Sequence, residues 1–156
     1  MDSPLEFFVT RPEDGKVLCV LLTIFDLVFI AFAPYDFGKY LVIIIVLVSA
    51  ISSVATLLFT DGIKREIVKS YPMEAITNGT ARWKHLQMIL SLILFASNFF
   101  SLCLQIEFSR SHIYYLFTAV VTAIVAAAYF LEAIASPRIT DNSPDEETII
   151  NGEEAV

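Results

Sequence analysis

Four long apolar runs, roughly residues 17–33, 40–59, 86–106 and 113–135, occupy most of this chain. Each is about the length that crosses a hydrocarbon core of ~30 Å at ~1.5 Å rise per residue, with the first at the lower limit. A helix in a soluble fold keeps polar residues along one stripe. The 40–59 run carries only Ser and Thr as polar residues, on any face. The expected fold is all-α: an integral membrane four-helix bundle over 17–136, with a connecting loop at 60–85. A polar segment, 1–16, precedes it and an acidic tail, 137–156, follows.

Composition agrees. The chain has 156 residues, 56% of them hydrophobic, and a mean hydropathy of +0.70, which is too apolar for an ordinary soluble domain. The net charge of −7 resides mostly in the tail, where six carboxylates face Arg138 alone. An acidic tail of this kind argues against nucleic acid as a partner. Asp2, Glu6, Glu13 and Asp14 before the first run do not suit a cleavable signal peptide, so the first span is expected to serve as its own insertion signal.

Lys and Arg collect on the cytoplasmic side of short loops. Arg11, Lys16, Lys64, Arg65, Lys69, Arg82, Lys84 and Arg138 fall on one side of a four-span layout, and Lys39 and Arg110 on the other. Both termini and the 60–85 loop are thus expected to be cytoplasmic. Asn78-Gly79-Thr80 is an N-glycosylation acceptor pattern, which that orientation would leave unused. Tyr35, Tyr40, Tyr114, Tyr115 and Trp83 take interfacial positions, where a ring is half wet.

Lipid tails are as apolar as Leu, so spans associate through close packing and interhelical polar contacts. Ser49 and Ser53, with Ser52 and Thr56 beside them, offer one small face on the second span. Ala119, Ala123 and Ala127 offer another on the fourth. Such faces serve packing within the bundle, or an interface with a second copy or another membrane protein. Asp26 lies near mid-membrane, where an unpaired charge costs several kcal/mol. Asn98 on the third span sits within ~5 Å of the same depth, so an Asp26–Asn98 contact is expected as structural glue. A proton or ion pathway is the sharper alternative. Glu132 reads as a solvated charge at a helix end, and Gln87 and Gln105 as ordinary span termini.

Cys19 and Cys103 lie at depths too different for a disulfide; Cys19, near the cytoplasmic boundary, is a candidate for S-acylation. No metal cluster, phosphate-binding loop or nucleophile elbow is legible, so neither cofactor nor enzymatic activity is expected. The tail lacks periodicity and reads as disordered. Ser143 precedes Pro144 in an acidic context that suits a kinase. Asp145 with Ile149 and Ile150 is similar to an acidic di-leucine sorting signal read by adaptors. Glu154 and Val156 fit a C-terminal PDZ-domain ligand, which adds a strand to a sheet edge.

The sequence 116–133, LFTAVVTAIVAAAYFLEA, resembles the last helix of MARVEL-domain proteins of the MAL and chemokine-like-factor-related group. Phe7-Phe8-Val9-Thr10-Arg11 before the first span is also similar, as are Val46-Leu47-Val48 and Thr56-Leu57-Leu58 in the second. The likeness covers roughly 7–136 and rests on hydropathy pattern. It implies a non-enzymatic protein of membrane apposition, vesicle traffic or cell junctions, at the plasma membrane or on Golgi-endosomal vesicles. An accessory subunit of a larger channel, receptor or adhesion complex and a small proton- or ion-conducting bundle are the alternatives.

Overall fold

A computed structural model describes residues 3–68 and 83–138, and every regular element in them is helical. The order is α1 (Pro4–Thr10), α2 (Pro12–Phe32), α3 (Lys39–Leu58), α4 (Asp61–Val68), α5 (Trp83–Phe108) and α6 (Tyr114–Ala135), ending in a 3-10 turn at Ser136–Arg138. Helices α2, α3, α5 and α6 are long and apolar enough to cross a membrane.

Local chemistry sets the boundaries. Ser3 and Glu6 form a reciprocal capping box at α1, with Pro4 in the first turn. Arg11 precedes Pro12 and cannot stay helical, so the chain breaks there and restarts as α2. Glu13 and Asp14 then favour the positive end of α2, which begins five residues before the apolar run expected at 17. Pro34 likewise ends α2 by holding Ala33 extended. Helix α4 lies within the segment expected as a connecting loop, and a break at Phe59 and Thr60 separates it from α3.

The spans form a ring in the order α2, α3, α5, α6, with α2 diagonal to α5 and α3 diagonal to α6. Buried positions recur at alternating spacings of four and three. They are Cys19, Thr23, Asp26 and Ile30 on α2, and Val42, Val46, Ser49 and Ser53 on α3. On α5 they are Gln87, Ser91, Leu94, Asn98, Ser101 and Gln105. On α6 they include Tyr115, Thr118, Thr122, Val125, Tyr129 and Glu132. This is a heptad seam, which keeps one stripe on the partner over many turns. Its content is inverted relative to a soluble bundle: five of the six buried residues of α5 are polar. Large apolar side chains such as Phe25, Phe32, Ile51, Ile93, Phe100, Phe117 and Ile124 face outward.

The seam corrects the within-bundle reading of one small-residue face. Ala119 is buried, Ala123 is half-buried and Ala127 is exposed. A strict four-residue step drifts by ~40° per step around a helix of 3.6 residues per turn, so that alanine series leaves the contact face. Ser49 and Ser53 do lie on the buried face of α3.

The two ends differ. At the short-loop end, Lys39 donates through Nζ to the Ala31 carbonyl at 3.0 Å and to that of Ala33. Tyr114 and Tyr115 donate to the carbonyls of Phe29 and Pro34. These bonds satisfy carbonyls that a helix C-terminus leaves open. A Cβ on Gly38 would stand 2.1 Å from the Phe108 ring, so this turn needs glycine for close approach. At the other end, which carries the termini, α1 packs against α6 and α2. Phe8 is buried there with Cys19, Ala128 and Tyr129 as cluster neighbours, so the segment before 17 is folded onto the bundle.

Gly15 tests that docking. On propensity alone, Gly→Ala inside a helix stabilises by ~0.5–1 kcal/mol. A Cβ here would meet Phe8 at 2.6 Å, and overpacking costs ~1–3 kcal/mol. Gly15→Ala is expected to lower thermal stability in micelles and to speed amide exchange over residues 4–10; a gain in stability would show that Phe8 does not pack there.

Candidate functional site

The inward polar residues form three layers. Nearest the short loops, the Asp26 carboxyl meets the Thr122 hydroxyl at 3.0 and 2.9 Å. Gln105 donates through Nε2 to Thr122 at 2.8 Å and to Ser101 at 3.2 Å. At a neighbouring level, Asn98 donates to the Ser49 hydroxyl at 2.9 Å and to its own helix at the Leu94 carbonyl at 2.8 Å.

The middle layer is centred on Tyr129. Its hydroxyl lies 2.9 Å from Thr23 Oγ1 and 2.5 Å from Ser53 Oγ. Thr23 donates to the Cys19 carbonyl at 2.6 Å. Each hydroxyl proton is then used once, running from Ser53 to Tyr129, to Thr23 and to the Cys19 carbonyl. One phenol thereby joins α6 to α2 and, across the diagonal, to α3. Tyrosine suits this task because its hydroxyl stands far enough from the backbone to span the bundle.

The third layer lies toward the termini. Gln87 donates to Glu132 at 2.9 Å, and Glu132 is 8% exposed. The Lys16 charge and the Cys19 and Ser91 side chains face the same carboxylate. Glu132 is thus a member of the core, not a solvated helix-end charge. Position 132 falls on the heptad seam beside Gln87, and that stripe outweighs its nearness to the helix end.

The expected Asp26–Asn98 pairing is replaced by two separate bonds. Both residues are fully buried, but α2 and α5 are diagonal, and each side chain finds a partner on an adjacent helix instead. Cys19, the S-acylation candidate, is 1% exposed and turned into the bundle; Cys103 is exposed. Asn78, Ser143, Asp145, Ile149, Ile150, Glu154 and Val156 lie outside the described residues. Among the described residues, no group of His, Cys, Asp and Glu has a metal-binding arrangement.

Sequence reasoning missed Thr23, Ser101, Gln105, Thr122, Tyr129, Gln87 and Glu132 as one system. The signal was present in the four-three spacing of 87, 91, 94, 98, 101 and 105, which no apolar run interrupts except at Leu94. The network is not fully satisfied: Asn98 Oδ1 and Gln105 Oε1 are buried without a hydrogen-bond partner, as is Trp83 Nε1 outside it. No protein family, characterised protein or solved structure matches this chain.

Interhelical hydrogen bonds in bilayers contribute ~0.6 kcal/mol on average and ~1.7 kcal/mol at most. Tyr129→Phe leaves two hydroxyls to find new partners and is expected to cost ~1–2 kcal/mol in reversible unfolding in micelles. Asp26→Asn keeps an acceptor for Thr122 and is expected to cost less than Asp26→Leu, which keeps none. Equal losses for the two Asp26 variants would show that the Thr122 bond contributes nothing.

Proposed function

We propose that this chain is a non-enzymatic membrane-organising protein, acting in vesicle traffic, membrane apposition or junction assembly. The observation that carries the proposal is the use of its polar groups. Most of those in the middle of the spans turn inward and bond to one another, while the large side chains offered to the surroundings there are apolar. A cavity among the described residues measures about 10 Å³, near the lower limit for holding one water, and such close packing favours a scaffold over a substrate site there. Interactions with lipid, with a second copy or with other membrane proteins then occur on the outer faces.

The likeness to MARVEL-domain proteins supports the same reading, as does the charge bias that argues for both termini and the 60–85 loop in the cytoplasm. In that orientation the tail reaches adaptors or PDZ domains through Ile149, Ile150 and Val156, and Asn78 stays unglycosylated. Membership in a larger channel, receptor or adhesion complex uses the same apolar surface and differs only in the partner.

The test is the location of an endogenously expressed copy tagged between 69 and 82, leaving the Val156 carboxylate free. Signal on Golgi or endosomal carriers, moving to the surface when Ile149 and Ile150 become Ala, is the expected trafficking result. Signal at lateral cell contacts, lost when the last three residues are removed, is the junctional form of it. Proton or cation flux through purified protein in liposomes, above that of protein-free vesicles, would overturn the proposal.

A further inference from the structure

One cavity lies between the middle layer and the layer nearest the termini. Lys16, Cys19, Ser53, Gln87, Ser91 and Glu132 line it, with Leu90 and Leu94 on its apolar side. Its volume of about 10 Å³ is near the lower limit for one water. A buried water also needs two to four polar partners. With Thr56 at its edge, this wall supplies a carboxylate, an ammonium, an amide and three hydroxyls. An apolar void of this size stays dry; a polar one of this size fills.

The cavity also separates two hydrogen-bonded groups that do not touch directly. Glu132 and Gln87 are on one side. Ser53, bonded to Tyr129, is on the other. Thr56 and Lys16, both half-buried, stand on the rim toward the termini.

We infer that this cavity is a hydration site, in which a water exchanging with the aqueous phase at the termini end bridges Glu132 to the Ser53–Tyr129 pair. The water accepts from Lys16 or Gln87 and donates to Glu132 or Ser53. The bundle thereby contains a half-channel that stops at the Tyr129 hydroxyl. Glu132 exchanges protons with that aqueous phase through it. Asp26, in the layer beyond Tyr129, lies outside its reach. A half-channel that stops at mid-bundle conducts nothing across the membrane, so the inference is independent of the organising role.

X-ray radiolysis of the full chain in lipid nanodiscs reads this directly, because hydroxyl radicals form from bound water and oxidise the side chains beside it. Leu94, 5% exposed, is buried and aliphatic like Ile30, Val42 and Val46, which are 0% exposed and belong to a separate cluster near the short loops. With rates normalised to the denatured chain, Leu94 and Cys19 are expected to oxidise severalfold faster than those three. Ser91→Val fills the space and is expected to bring both rates down to the reference. Thr56→Val, on the half-exposed rim, is a second variant that removes a hydroxyl without adding bulk, and is expected to slow both in part. Labelling of Leu94 and Cys19 at the reference rate in the unaltered chain would overturn the inference, whatever the variants do. Unchanged labelling in a folded Ser91→Val protein would also overturn it, since general opening of the bundle would then be the source.

Discussion

A bilayer gives helices no hydrophobic reason to leave it, and the structure depends on how this chain answers that constraint. Its answer is a stripe of hydroxyl, amide and carboxyl groups on each span, turned toward the same axis. Every such group is cheaper against another than against lipid. The Tyr129 hydroxyl shows how far one residue carries this: it ties three of the four spans at a single point. The apolar exterior follows from the same rule, because side chains such as Phe25 and Ile124 lose nothing by facing lipid.

The seam works through spacing as much as through chemistry. A four-three repeat holds the polar stripe on the bundle axis over the length of a span, whereas a plain four-residue series walks off it. The pairs fix the register: Asp26 with Thr122, Thr23 with Tyr129 and Pro34 with Tyr115 all match an antiparallel α2 and α6. The energy gained is modest. Each bond contributes ~0.6 kcal/mol on average, and an unpartnered buried acceptor such as Asn98 Oδ1 costs ~1–3 kcal/mol. The network therefore does more to choose one register among many than to deepen the fold.

Span number and approximate limits were legible in the sequence, because length and hydropathy over twenty residues leave few alternatives. The early start of α2 was legible only in part: Pro12, Glu13 and Asp14 are helix-start signals, but they sit outside the apolar run that drew the boundary. The burial of Asp26, Asn98, Ser49 and Ser53 was likewise readable from depth and residue type. Partner choice was not. Depth along the membrane is one coordinate, and the diagonal placement of α2 and α5 depends on a second, the order of helices around the ring. Glu132 and Gln87 were misplaced for a related reason. Each lies near a helix end when counted alone, and only the shared stripe shows that both point inward.

The ends of the bundle are built for different freedom. At the short-loop end, Lys39 and Tyr114 bond to the last carbonyls of α2 and Tyr115 to the Pro34 carbonyl just beyond it, and Gly38 lets Phe108 close over that turn. The termini end has a carboxylate, an ammonium and a cavity among its side chains, with α1 held across it chiefly by Phe8. Polar groups around a water-sized space rearrange at lower cost than an aromatic clamp, since water can replace each partner as it leaves. Local opening therefore begins at the termini end.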